Sequence, residues 1–295
     1  SIRRQRQMCI RDRTKMSKDK ALVLGGGGIT GIAWEAGVLA GLIDSGIKMN
    51  QVDKILGSSA GSFVGAILAN NQNMQAYYQD LATHHSESDN AQLDPAIYGL
   101  WTKAFIKGRD NEQLIGQYLG DIINSHPSNV SPETRSDSIQ QRLGNAKWTD
   151  QLEITAINAR TGKLSTFNEN SGVSLKEAVT ASGAVPGLWP HINLLGESWI
   201  DGGMVSSTNA MLVSDYQDII ILAPLSQKLG QVPSVYEEAE KLKEQSNVTL
   251  IVPDENSKGS IGQNIYSSKN IKEIGDAGYE QGKTLATSLT ENIEN

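Results

Sequence analysis

Apolar and polar positions along this 295-residue chain fall into two recurring patterns. Short, dense apolar runs bounded by glycine, proline or aspartate predict buried strands at residues 21–24, 52–56, 153–158, 165–168, 191–200, 218–224 and 248–253. Longer stretches with apolar residues at helical spacing predict helices at 32–43, 62–69, 174–182, 234–245 and 269–289. Strands alternating with helices predict an α/β fold, a three-layer α/β/α sandwich around a mostly parallel central sheet. In the last helix the stripe Ile271, Ile274, Ala277, Leu285 and Leu289 is interrupted around Gly278 and Gly282, where a neighbour can approach closely. The polar stretch 254–264 is expected to be a loop. No apolar run reaches the roughly 18 residues that a membrane span requires.

Residues 71–148 depart from the pattern. Apart from 93–106 and 114–123 they are rich in Asn, Gln, Ser, Asp and Glu, and they read as a helical insertion. Two readings stand: a cap over the site, or a peripheral decoration. Tyr77, Tyr78, Tyr98, Leu100, Trp101 and Phe105 would then form an acyl-binding surface, or anchor the insertion to the core. The expected organisation is a single domain over 16–295, with the cap insertion at about 71–148.

The segment Gly57-Ser58-Ser59-Ala60-Gly61 reads G-x-S-x-G between a predicted strand and a predicted helix. In that context it predicts a nucleophile elbow, a sharp turn that lifts the Ser59 hydroxyl above the sheet edge. Gly57 and Gly61 are required because a Cβ would clash in so tight a turn. The helix that follows points unpaired N–H groups at the site and favours developing negative charge.

Upstream, the strand 21–24 runs into Gly25-Gly26-Gly27-Gly28-Ile29-Thr30-Gly31. Consecutive glycines turn backbone N–H groups toward one point and make an anion-binding concavity. In an acyl hydrolase the Gly26, Gly27 and Gly28 amides, with that of Ala60, would form the oxyanion hole. Gly26-x-Gly28-x-x-Gly31 also fits the dinucleotide fingerprint. That reading needs an acidic residue at the end of the next strand, where Leu56-Gly57-Ser58-Ser59 stands instead. A P-loop is excluded, because no Gly-Lys-Ser/Thr follows the glycines.

Asp201-Gly202-Gly203 closes a later strand signal. Something must activate Ser59, and the histidines are His84, His85, His126 and His191. A Ser-Asp/Glu-His order needs a histidine in the last third of the chain, which has none. A Ser59–Asp201 dyad is the expected alternative.

These residues resemble the patatin-like phospholipases, lipid acyl hydrolases that work with a Ser–Asp dyad. The family's glycine-rich oxyanion motif is similar to residues 26–31, its elbow to 57–61, and its Asp-Gly-Gly/Ala motif to 201–203. The small-residue stretch 181–187, ending Val185-Pro186-Gly187, is similar to the one preceding the family's aspartate. The resemblance covers roughly residues 20–225. It implies the family's fold, a carboxylic ester hydrolase with Ser59 as nucleophile and Asp201 as base, a lipid or acyl-ester substrate, and no cofactor or metal. One departure stands out: the family usually has Arg or Lys where this chain has Thr30, which predicts weaker phosphate attraction there. The alternatives are a nucleotide-binding oxidoreductase using the glycine loop, and a catalytically silent lipid-binding relative.

The net charge is −7. Residues 1–15 hold Arg3, Arg4, Arg6, Arg11, Arg13 and Lys15 against Asp12, +5 in total, so the rest of the chain carries −12. This opening stretch reads as a non-native or disordered leader: Gln7 to Arg13 looks like adapter read-through, and Met16 is the expected start. It lacks the apolar core of a signal peptide, and a cytoplasmic location is expected. The acidic remainder argues against nucleic acid as a partner, and leaves room for transient contact with a membrane surface. One cysteine, Cys9, rules out a disulfide framework.

Overall fold

The computed structural model describes residues 20–84 and 93–291; the leader 1–15, Met16 and His85 lie outside these. Four buried aliphatic positions in a row, Ala21 to Leu24, make β1 (Lys20–Leu24) a strand covered on both faces, as a central parallel strand must be. It pairs in parallel with β2 (Lys54–Gly57) on one side and β7 (Asp218–Leu222) on the other. Beyond β7 lies β8 (Asn247–Ile251), also parallel, and beyond β2 lies β3 (Leu152–Asn158), parallel again. An antiparallel margin completes the sheet, with β4 (Leu164–Phe167) and β6 (Glu197–Asp201) both pairing with β3, and β5 (Ile192–Leu194) pairing with β6.

The register along β3 places the site. Because β4 occupies one edge of β3, β2 and β6 must share the other: β2 pairs with residues 152–154 and β6 with 156–158. β2 runs up to Gly57 opposite Ile154, while β6 runs down to Asp201 opposite Ala156. The ends of the two strands therefore face each other across Thr155.

Helices cover both faces. On one side α1 (Gly28–Asp44), α2 (Ala60–Ala69) and α3 (Met74–Thr83) pack with Leu22, Leu24, Ile55 and Ile154. So do α6 (Pro132–Leu143), α7 (Leu175–Ser182) and α10 (Ile271–Glu291). On the other side α8 (Val235–Leu242) packs under Val23, Ile219 and Ile221. The same side carries α4 (Pro95–Gly108) and α5 (Glu112–Ser125), against Ile157 and Ile200. The short α9 (Glu255–Ile261) precedes α10. The expected close approach occurs at Gly282, where a Cβ would collide with the Val38 carbonyl of α1.

Two local expectations are corrected. Residues 191–200 form a hairpin rather than one strand: β5 and β6 are joined by Leu195 and Gly196, both at positive φ (55° and 77°). Leucine seldom occupies such a turn, which hid it. Residues 254–264 contain α9, started by the Asp254 side chain accepting from the Ser257 amide at 2.8 Å. Its polar surface has no apolar periodicity to announce it.

Residues 71–148 do not behave as one body. Met74, Tyr78 and Leu81 of α3 belong to the main core, and the Tyr78 hydroxyl donates to Asp276 at 2.8 Å. Phe105, Ile115 and Leu119 of α4 and α5 join the opposite layer, and Trp101 Nε1 donates to the Pro186 carbonyl at 3.0 Å. Tyr98 is exposed. Among the described residues of the insertion, those lining the site belong to α6.

Candidate active site

The turn between β2 and α2 holds Ser59 at φ 53° and ψ −118°, a conformation that costs a residue with a Cβ on the order of 1–3 kcal/mol. The surroundings enforce it. A Cβ at Gly61 would collide with the Leu24 carbonyl, and one at Gly57 would lie 2.6 Å from the Gly61 carbonyl oxygen. The Ser58 amide donates to the Leu24 carbonyl at 3.0 Å, and the Ser62 hydroxyl to the Ser59 carbonyl at 2.6 Å. α2 starts at Ala60 with its first turn aimed at the same point.

The glycine loop approaches from β1. Gly26 lies against Ser59, so close that a Cβ there would sit 3.2 Å from the Ser59 Cβ. Its own amide, however, donates to the Ser207 carbonyl at 2.8 Å. Among the described residues the amides of Gly27, Gly28 and Ala60 have no acceptor, and Gly28 and Ala60 line the cavity beside Ser59. Gly31 sits where α1 passes α2: a Cβ there would be in ordinary contact with that of Ala60, 3.4 Å away. Thr30 is buried, and its hydroxyl donates back to the Gly27 carbonyl at 3.1 Å, which fixes the loop.

Asp201, 2% exposed, arrives at the lower end of β6. Its Oδ2 accepts the Ser59 hydroxyl at 2.5 Å, and its Oδ1 accepts the Gly203 amide at 2.7 Å. Burial pushes its carboxyl up to about 7, against the Ser59 hydroxyl, the Gly203 amide and the charge of Arg135, which favour the carboxylate. A Cβ at Gly202 would collide with Thr155, so only glycine can follow the aspartate where β6 meets β2.

Two supporting residues, Thr155 and Asn209, escaped the sequence reading, and Ser182 was read there only as part of the stretch 181–187. Ser182, at the end of α7, accepts the Ser59 amide on its hydroxyl at 2.8 Å and the Gly202 amide on its carbonyl at 3.2 Å. With the Ala184 carbonyl accepting the Asp201 amide at 3.0 Å, the stretch 181–187 brackets elbow and aspartate together. Beneath them the Ser58 and Thr155 hydroxyls are 2.7 Å apart. Asn209 donates to Ser58 at 2.9 Å and to the Gly202 carbonyl at 2.7 Å. The similarity of 181–187 to a family motif was a signal for Ser182; nothing in the sequence marked Asn209.

The cavity at Ser59 has a volume of about 30 Å³, room for about one water molecule. Its far wall is cationic. In α6 the buried face is Arg135, Ser138, Ile139, Arg142 and Leu143, an amphipathic stripe that carries two arginines. Both arginines line the cavity. Burial pushes each guanidinium down to about 10, so both stay charged at neutral pH. None of the described histidines joins the site: His84 sits with Asp80 at the exposed end of α3, His126 caps α5, and His191 lines a separate outer groove. Among the described residues no group of three or more His, Cys, Asp or Glu side chains could hold a metal ion.

The family model described as Patatin-like phospholipase matches residues 22–213, more than half of the chain. The chain belongs to the patatin-like phospholipase family. Membership supports lipid hydrolase activity and a lipid substrate, and the mixed eight-stranded sheet with helices on both faces is the family's fold. Among solved structures, VipD from Legionella pneumophila is similar at a TM-score of 0.47 and 14% identity, over 92% of this chain and 67% of that one. The type III effector protein ExoU is similar at 0.39 and 16%, over 92% and 53%. ExoU in complex with SpcU, from the type III secretion system of Pseudomonas aeruginosa, gives 0.36 and 18%, over 90% and 53%. This patatin-like chain thus spans about half the length of the ExoU chains it matches. Among the described residues no helix is long and apolar enough to cross a membrane.

Proposed function

We propose that this patatin-like protein hydrolyses carboxylic esters of lipids through a Ser59–Asp201 dyad and an acyl-enzyme intermediate. The observation that carries the reading is the 2.5 Å hydrogen bond from Ser59 Oγ to Asp201 Oδ2, with the second carboxylate oxygen held by the Gly203 amide. Ser59 Oγ attacks the ester carbonyl carbon as its proton passes to Oδ2 of Asp201. The carbonyl oxygen becomes an oxyanion, received by the amides of Gly27, Gly28 and Ala60 at the converging starts of α1 and α2. Gly26 serves by packing, because its amide is committed to Ser207. The carbon–oxygen bond to the alcohol then breaks, and the alcohol leaves with the proton from Asp201. Water attacks the acyl-enzyme, gives its proton to Asp201, and the released acid leaves Ser59 to be reprotonated. A base with a pKa near 7 suits this exchange better than an ordinary aspartate near 4.

The test is p-nitrophenyl ester hydrolysis with fluorophosphonate labelling. Ser59→Ala should lose labelling and turnover, and Asp201→Asn should lower turnover by about 10³-fold or more. Because Asp201 must be ionised to accept the proton, kcat/KM should rise with pH through about 7 and level off above it. Labelling without turnover on any ester would favour a silent lipid-binding relative. Near-wild-type rates in either variant would end the dyad reading.

A further inference from the structure

Glu238, on α8, is 5% exposed, and none of the hydrolytic steps uses it. It has no salt-bridge partner among the described residues. The helix does not need it, because Ser234 and Glu237 already form the capping box at the start of α8. A buried carboxylate without a cation is costly unless hydrogen bonds meet it. Two hydrogen bonds meet this one: Oε1 accepts the Ser206 hydroxyl at 2.9 Å, and Oε2 accepts the Thr208 hydroxyl at 3.2 Å. Burial pushes the carboxyl above its ordinary range, while the two hydroxyls favour the carboxylate and the charge of Glu112, at the start of α5, opposes it.

The two anchored residues flank Ser207, whose carbonyl accepts the Gly26 amide at 2.8 Å. The same carbonyl would lie 3.2 Å from a Cβ at Gly25 and 3.5 Å from one at Gly203, so it is wedged between the glycine loop and the turn after Asp201. Thr208, fully buried, brings its methyl group 3.2 Å from the place of a Gly25 Cβ. The Ser206 hydroxyl also accepts the Asn209 amide at 3.0 Å, and Asn209 joins Ser58 to the Gly202 carbonyl. One carboxylate thus ties down both neighbours of the residue that holds the glycine loop. Glu238 lies beyond residues 22–213, the part of the chain that the family model matches.

We infer that Glu238 is a positioning residue for the oxyanion loop: by stapling residues 206 and 208 it fixes the Ser207 carbonyl, which fixes the Gly26 amide and with it the aim of the Gly27 and Gly28 amides. The staple stands on its own geometry; its catalytic consequence rests on the hydrolase reading. Donors stabilise a developing oxyanion best when they are held in place beforehand. Without the staple the Ser207 carbonyl would drift, and the Gly27 and Gly28 amides would remain but lose their aim. Glu238 bonds to neither Ser59 nor Asp201, so its loss falls on the transition state and on kcat rather than on KM.

The test compares wild type, Glu238→Ala and Glu238→Gln, first by hydrogen exchange followed residue by residue with NMR. The Gly26 amide should exchange about tenfold faster or more in Glu238→Ala, with the amides of β1 unchanged. Glu238→Gln, which keeps one acceptor oxygen, should fall between. Equal acceleration along β1 would mean general loosening, and no acceleration at Gly26 would mean that no staple acts there; either result overturns the inference. On p-nitrophenyl butyrate, Glu238→Ala should lower kcat about tenfold or more with KM held within about twofold, and Glu238→Gln should recover part of the loss. A lower Tm with kcat intact would reduce Glu238 to packing and overturn its positioning role. In a Thr208→Val background Glu238→Ala should cost less kcat than in wild type, because half of the staple is already gone; equal cost in both would overturn the inference. If wild type cleaves no ester, the hydrolase reading fails by itself and Gly26 exchange still decides the staple. If Glu238→Ala does not fold, Glu238→Gln and Thr208→Val carry both measurements with the same deciding outcomes.

Discussion

The elbow and the insertion build their halves of the site by opposite means. Between Gly57 and Gly61 the shape is set at short range: a strand end, a glycine whose Cβ would collide with the turn that follows, a helix start pointing amides inward. In α6 nothing local explains why arginines occupy a core-facing stripe; the reason lies in what they face across more than 70 residues of chain. Geometry that must be tight is written in adjacent residues, while charge that must be present can be delivered from far away. The elbow should therefore tolerate almost no change in shape, and the insertion should tolerate changes in shape better than changes in charge.

The sharpest way to break that contrast is Gly61→Ala. One methyl group would have to occupy the place of the Leu24 carbonyl, which is backbone of the central strand and cannot move aside. Loss of at least about 3 kcal/mol of stability is expected, read from urea denaturation, together with loss of esterase activity. Gly99→Ala, on the insertion where a Cβ meets nothing within 4 Å, is the control and should change stability by less than about 1 kcal/mol. Comparable losses in both would sink the contrast.

Next in size is Asn209→Ala. Its side chain ties the residue before the nucleophile to the glycine after the aspartate, from a buried position. Removing it strands the Gly202 carbonyl and one hydroxyl of the Ser58–Thr155 pair, at a cost of about 2 kcal/mol. Since the same bonds align elbow with β6, kcat should fall more than KM changes. A stability loss with kcat intact would reduce Asn209 to a structural prop.

This division also explains what the sequence made legible. The strands, the principal helices and the three glycine-marked turns could be read because each is a local statement: periodicity, or a turn that only glycine allows. Thr155, Asn209 and Arg135 could not, because their meaning depends on β2 and β6 sharing one edge of β3, a pairing no spacing announces. Gly26 shows the limit from the other side. Its motif is a local one, yet the destination of its amide, the Ser207 carbonyl, is set by a loop 181 residues away. The hairpin was hidden by a leucine in its turn, and α9 by the absence of apolar periodicity.

The smallest effect probes the strain itself. Ser59 and an alanine in its place share the cost of φ 53° and ψ −118°, whereas glycine adopts that region freely. Ser59→Gly should therefore be more stable than Ser59→Ala by about 1–2 kcal/mol, although both lose the hydroxyl and its bond to Asp201. Comparing the two variants, rather than either with wild type, cancels that lost bond and leaves the backbone term. Urea midpoints at pH 8 measure it directly. If the alanine variant is as stable as the glycine variant, the elbow holds its nucleophile without strain, and the tightness argued for the short-range half of the site belongs to its glycines alone.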